Sequence, residues 1–315
     1  MSGPVEPQTD EPRDLGISAI EVKEGRTARI GELNVVRVLP TKKKRTVGPW
    51  CFVDLMSPDD VESPPPMEIG PHPHIGLATV TWLFAGSALH SDSLGTEQLI
   101  SPGGLNLGTT GGGRARAGLG VETKAAESTD GIMGAQMWLA QPEHTRHGEA
   151  RFEHLDTLPL VELPSLRGRL LIGARADASS TARVDHPTIG RDVTLDGRAS
   201  LPAEGDFEYA IVPIDRPIKV EEAIVDPGAL AFVPTGHDEL RLESRSPGAR
   251  LLLLGGRPLG EPVKMWWNFV ARTQDEITEA WRDWRDHNES RFGPVPSDLE
   301  RIEAPTPPWI RSDES

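Results

Sequence analysis

A single cysteine, Cys51, in 315 residues leaves no pair for an intrachain disulfide. Long apolar runs are also missing. The longest aliphatic stretch, Leu251-Leu252-Leu253-Leu254, falls far short of the roughly 20 residues that cross a bilayer. The opening Met1-Ser2-Gly3-Pro4-Val5-Glu6-Pro7 has neither a basic n-region nor an apolar h-region, so no secretory signal is expected there. Positive charge is scarce as well: a net charge of −15 argues against a protein whose main task is to grip phosphates. These absences lead to the expectation of a cytoplasmic protein with no membrane partner and no direct nucleic-acid partner. The one basic run, Lys42-Lys43-Lys44-Arg45, reads as a solvated loop before the first apolar strand. Cys51, inside Pro49-Trp50-Cys51-Phe52-Val53, reads as a buried and unreactive thiol.

What is present is the composition of a globular protein, 37% apolar and 26% charged, on a chain long enough for two cores. Glycine and proline are spread throughout. Short apolar segments stand between turn signals, as in Thr79-Val80-Thr81-Trp82-Leu83-Phe84, Leu170-Leu171-Ile172, Tyr209-Ala210-Ile211-Val212 and Leu230-Ala231-Phe232-Val233. Many short strands at this spacing predict an all-β fold of sandwiches or barrels. One helix is clear: Thr273-Gln274-Asp275-Glu276 is a capping box, and Ile277, Trp281 and Trp284 follow on one face. It is expected to pack on the body and to stop at Gly293-Pro294. A weak internal repeat relates Pro102–Gly111 to Pro227–Gly236, each a Pro-Gly turn feeding a strand. Two similar barrels in tandem follow: a tail over 1–15, domains over 16–150 and 151–295, and a second tail over 296–315, from which Trp309 and Ile310 are free to dock.

The chemistry-bearing stretch is Pro71-His72-Pro73-His74-Ile75-Gly76. Residues i and i+2 of a strand share a face, so both imidazoles can enter one barrel, a common start to a transition-metal site. Taken with Val47-Gly48-Pro49-Trp50, Phe52-Val53-Asp54, Thr79-Val80-Thr81-Trp82-Leu83, Gly86-Ser87, His90-Ser91-Asp92-Ser93-Leu94-Gly95 and Ile100-Ser101-Pro102-Gly103, it resembles the pirin family. Gln136-Met137-Trp138-Leu139, Leu254-Gly255-Gly256-Arg257-Pro258-Leu259-Gly260-Glu261-Pro262 and Asn268-Phe269-Val270 extend the resemblance over nearly all of residues 15–295. It implies a bicupin: two antiparallel β-barrels, the first with a mononuclear iron site. It also implies quercetin-type dioxygenase activity or, in some lineages, regulation through protein partners.

The family's ligand set, three histidines and a glutamate, maps onto His72 and His74 for two members. The segment that supplies the others corresponds to Thr109-Thr110-Gly111-Gly112-Gly113-Arg114-Ala115-Arg116-Ala117-Gly118. Arg116 stands at the histidine position and Gly118 at the glutamate position. Two imidazoles without an anionic ligand hold a dication weakly, and an inward guanidinium would repel it. The reading that follows is a pirin-like bicupin with a degenerate metal site, which binds a small aromatic or anionic ligand or a protein partner. In that reading Arg116 offers a fixed cation to a carboxylate or phenolate, or Arg114 and Arg116 simply line an exposed loop. The alternative is an iron-dependent quercetin-type dioxygenase that uses His72, His74 and a non-standard ligand such as Glu122. Whether the chain is an enzyme stays open at this stage. His90 is read as part of a structural turn, His144 and His147 as loop residues, His237 as partnerless in the second barrel, and Trp266-Trp267 as packing.

Overall fold

A computed structural model describes residues 19–30, 33–42, 44–56, 68–112, 119–124, 131–175 and 178–310, with residues 119–124 described in backbone alone. The first half contributes β1 (Glu21–Glu24), β2 (Arg26–Ile30), β3 (Leu33–Leu39), β4 (Trp50–Met56), β5 (Glu68–Pro73) and β6 (Leu77–Ala85). It continues with β7 (Ala88–Ser91), β8 (Glu97–Ile100), β9 (Leu105–Thr109), β10 (Leu119–Lys124), β11 (Met133–Ala140) and β12 (Arg151–Leu155). The second half holds β13 (Leu160–Leu163), β14 (Leu166–Ile172), a two-residue hairpin of β15 (Ala174–Arg175) and β16 (Ala178–Ser179), and β17 (Thr188–Leu195). After it come β18 (Arg198–Pro202), β19 (Glu208–Pro213), β20 (Ile218–Val220), β21 (Ala223–Val225), β22 (Ala229–Val233), β23 (Glu239–Glu243) and β24 (Ala249–Gly256). The chain closes with β25 (Lys264–Trp266), β26 (Phe269–Ala271), α1 (Gln274–Arg285) and α2 (Glu289–Phe292).

Each barrel pairs a seven-stranded sheet with a four-stranded one. The large sheets run β12-β9-β6-β11-β4-β3-β2 and β1-β22-β19-β24-β17-β14-β13; the small ones run β5-β10-β7-β8 and β18-β23-β20-β21. Position by position, β9 matches β22, which is where the internal repeat falls. The outermost strands are exchanged: β1 precedes the first barrel in sequence but pairs with β22, and β12 precedes the second but pairs with β9. No single cut at residue 150 therefore separates the barrels.

The two large sheets share a core. In the Leu251–Leu254 run, Leu251 and Leu253 enter the second barrel while Leu252 and Leu254 pack against the first, together with Trp50, Val80, Trp82 and Met137. Period-two alternation on a strand buried on both faces accounts for that continuous apolar run. Trp50 Nε1 donates to Ile189 O and Gly255 O at 3.2 and 3.1 Å, and a side chain on Gly256 would strike Pro49. The basic run is not wholly solvated: Lys44 reaches Glu208 at 2.5 Å and lies over Phe232 of the second barrel.

The barrels differ inside. The second is filled by Val193, Leu195, Ile211, Ala231, Leu251 and Leu253, with Leu240 and Leu242 opposite. At corresponding positions the first large sheet carries Thr79, Thr81, Asn106, Gln136 and Arg37, which cannot collapse into an apolar core and instead line a cavity. Beyond β24 the chain returns to the first barrel. Thr273 and Glu276 form the reciprocal capping box, and Ile277, Trp281 and Trp284 pack with Ile75, Phe269 and Phe292. Each such aromatic burial stabilises by about 1.5–3 kcal/mol. Among the described residues no helix is long and apolar enough to cross a membrane.

Candidate ligand cavity of the first barrel

Strand β5 is an edge strand, and this is why Pro71 and Pro73 are tolerated beside the histidines: an edge can lack N–H donors on its open side. Their alternation turns His72 and His74 to one face, and both rings line a cavity of about 390 Å³, within the roughly 300–1,000 Å³ of small-molecule sites. Gly76 then turns the chain with φ +66°, its Cα facing Val270 O so closely that no side chain fits.

The two rings meet edge to face at 4.9 Å, and His74 stands edge-on to Trp138 at 5.2 Å. Backbone carbonyls set both tautomers. His72 Nδ1 lies 2.9 Å from Gly70 O, so it donates and leaves Nε2 as an acceptor. His74 bonds to the Asn268 backbone, while its buried Nδ1 has no partner among the described residues. Burial holds His72 below the usual imidazole range and His74 well below it, the neighbouring His72 adding to the effect on His74. Both are neutral, with lone pairs available.

The remaining wall combines aromatic faces with fixed polar groups. Phe52 stacks on Trp138 at 3.9 Å, and the Arg37 guanidinium lies 4.4 Å over Phe52. Arg37 grips the fully buried Asp54 through both carboxylate oxygens at 2.7 and 2.6 Å. Burial raises the Asp54 carboxyl above its ordinary range against the opposing pull of Arg37. Thr81 donates to Gln136 at 2.9 Å. Asn106 pairs with His154 through its oxygen, but its buried Nδ2 is unpartnered among the described residues. The lining thus offers unmet acceptors and an unmet donor close to flat apolar faces.

His90, read from sequence as part of a turn, lies on β7 with its ring in the cavity, stacked on Phe152 at 4.6 Å. Its Nε2 is 3.2 Å from Asp92 Oδ2, whose other oxygen accepts from Leu94 and Thr96 amides. Burial works to raise Asp92, but the His90 and amide hydrogen bonds prevail and leave it below the ordinary carboxylate range. Sequence reasoning discounted His90 because its aim depends on Phe152, delivered by the exchanged strand β12. It also missed the C-terminal segment, which forms part of the wall through Trp267, Asn268 and Ile302. Of the tryptophan doublet, Trp266 packs on Trp309 while Trp267 faces the cavity.

Arg114, Arg116 and Gly118 lie outside the described residues. The backbone of β10 pairs Gly120 with His72, and Glu122 with both Ile69 and His90, two residues that line the cavity. His144 and His147 sit in the turn after β11, where Arg146 bonds to Glu143 and Glu276, and His237 follows β22. None of the three lines the cavity. Among the described residues no group of three or more metal-binding side chains converges.

Comparison with known proteins agrees with this architecture. The family model described as Pirin matches residues 32–139, and that of the Pirin C-terminal cupin domain matches 191–293. A Pseudomonas aeruginosa protein with the provisional name quercetin 2,3-dioxygenase is 37% identical over 90% of this chain and 89% of its own. A pirin-like protein of Caulobacter vibrioides is 32% identical over 87% of this chain and 98% of its own. Among solved structures, the quercetin 2,3-dioxygenase of Acinetobacter baumannii superposes with a TM-score of 0.85 at 35% identity, covering 93% of this chain and 97% of that one.

Proposed function

The chain belongs to the pirin family, and from that premise we propose that it is a metal-site-degenerate bicupin that binds a small hydroxylated aromatic compound in the first barrel. The observation that carries this reading is a pair of neutral imidazoles, His74 buried with an unpartnered Nδ1 and His72 half-buried with Nδ1 held by Gly70 O, that line one roomy cavity. Phenolic O–H groups donate to His72 Nε2 and His74 Nδ1, and a phenolic oxygen accepts from Asn106 Nδ2. Burying such groups unpaired costs about 1–3 kcal/mol each, so a ligand that satisfies them binds selectively. The Phe52–Trp138 stack supplies a flat face for the ring. The names borne by the Pseudomonas and Acinetobacter relatives are consistent with a polyphenol.

A second reading is favoured by the β10 register, which sets Glu122 opposite two cavity residues. His72, His74 and Glu122 would then be a two-histidine, one-carboxylate set of the kind that holds iron in oxygenases. Elemental analysis separates the two. Protein produced in iron-rich medium and purified without chelator should carry far less than one iron per chain. Stoichiometric iron that disappears in Glu122→Ala overturns the degenerate-site reading in favour of the dioxygenase.

A further inference from the structure

A row of polar side chains crosses the large sheet of the first barrel. Successive cross-strand partners are Arg37 and Asp54, Asp54 and Gln136, Gln136 and Thr81, Thr81 and Asn106, and Asn106 and His154. Residues opposite one another in a sheet share a face, and Arg37, Gln136, Thr81 and Asn106 line the cavity. Hydrogen bonds join the row: Arg37 to Asp54, Thr81 to Gln136, and His154 Nδ1 to Asn106 Oδ1 at 2.7 Å. Within it, the one buried side-chain nitrogen or oxygen without a partner among the described residues is Asn106 Nδ2, in a residue 3% exposed. His154 stands at the outer end, its Nε2 2.6 Å from Asp156 Oδ1 just past β12. A carboxylate only accepts, so Nε2 carries a hydrogen, and Nδ1 donates the other to the carboxamide oxygen. Gly104 makes the seat for this ring: a β-carbon there would lie 2.8 Å from His154 Cε1.

We propose that His154 and Asp156 are positioning residues that hold the Asn106 carboxamide with its oxygen on His154 and its NH2 toward the bound aromatic. This inference rests on the ligand class proposed above. The two ends of a carboxamide have nearly the same shape, so its hydrogen-bond partners decide which end faces the cavity. With the oxygen engaged by His154, Asn106 offers the ligand a donor, whereas His72 and His74 offer acceptors. The cavity therefore selects an aromatic that brings hydroxyl donors for the imidazoles and an acceptor oxygen, such as a ring carbonyl, for Asn106. A ligand with only donors at that point leaves Asn106 Nδ2 buried and unpaired. His154 does this from outside the cavity, on the exchanged strand β12.

Quercetin is the probe, because it carries both hydroxyl groups and a ring carbonyl. The titration is run anaerobically with chelator present, and tryptophan quenching reports binding. Asn106→Ala should weaken binding about tenfold, the range of one lost hydrogen bond to a buried group. Asn106→Asp keeps an oxygen on His154 but replaces the donor that faces the cavity by an acceptor, and should weaken binding further. His154→Leu should cost about tenfold by itself, yet change nothing in the Asn106→Ala background, because it acts only through the carboxamide. Gly104→Ala displaces the His154 ring without altering a cavity residue; it should reproduce His154→Leu, and it carries the same cycle if His154→Leu does not fold. Wild-type affinity in Asn106→Asp or in His154→Leu, or equal weakening by His154→Leu in both backgrounds, overturns the positioning role while leaving the ligand class standing. Absence of quenching in the wild type overturns the ligand class and the positioning role with it.

Discussion

Glycine 70 is the position where one added methyl group should do most to the cavity. A β-carbon there would lie 1.9 Å from Glu300 O and 3.0 Å from its carbonyl carbon, both backbone atoms of the C-terminal segment. Ordinary contact needs roughly 3.5 Å, so residues 300–302 must move away by about 1.6 Å. That movement breaks the Ile302 N to Pro71 O bond of 2.9 Å and disturbs the Trp284 Nε1 to Ile302 O bond of 3.0 Å. At about 1 kcal/mol net per hydrogen bond, with some lost packing of Ile302, the cost is about 2–3 kcal/mol. An unfolding entropy of about 2.1 cal/mol/K per residue over 315 residues converts each kcal/mol to roughly 1.5 °C, so Gly70→Ala should lower Tm by about 3–5 °C. Scanning calorimetry measures this, and limited proteolysis should show faster cleavage within residues 299–310. A Tm within about 1 °C of wild type, with proteolysis unchanged, refutes the account of the C-terminal segment as a docked wall of the cavity.

Acidification should destabilise the protein through His74 and His72. Their folded pKa values lie below the unfolded 6.5, so the unfolded chain binds more protons as pH falls below that value; stability is full above it and is lost on descent toward the folded values. Urea midpoints measured between pH 7.5 and 5 should therefore fall for wild type and change less for His74→Gln, and equal slopes would contradict the assignment. Arg37→Ala should cost about 3–5 kcal/mol by leaving Asp54 buried without its partner; a denaturation curve within 1 kcal/mol of wild type would be incompatible with that pairing. The Cys51 thiol, pushed up to about 12 by burial, should resist an aromatic disulfide reagent in native buffer and react fully in guanidinium. Rapid native labelling would show the strand around it to be open.

Much of the architecture could be read from local signals. The Thr273–Glu276 capping box, the Ile277/Trp281/Trp284 face and the Pro102–Gly111/Pro227–Gly236 repeat all act within a few residues, and all lie in the structure where their chemistry puts them. The exchange of β1 and β12 was not legible, because a strand's partner in a sheet is set by long-range pairing and not by its own pattern. The same holds for the site. His72 and His74 announce themselves by spacing, whereas His90 acquires its place only when Phe152 arrives from a distant strand. Residues 296–315 read as a tail from which Trp309 and Ile310 are free to dock; in the structure both pack on the body, and indole N–H groups of Trp266, Trp281 and Trp284 donate to the carbonyls of Pro305, Ala304 and Ile302 and hold that segment to the barrel.

The account turns on whether the two-histidine cavity recognises a polyphenol without a metal. Isothermal titration of quercetin into chelator-treated protein, without oxygen, tests this directly. One molecule should bind per chain, and His74→Ala should weaken it by at least tenfold, as removal of one buried acceptor implies. Binding that is absent until ferrous iron is added, or binding indifferent to His74→Ala, would contradict it.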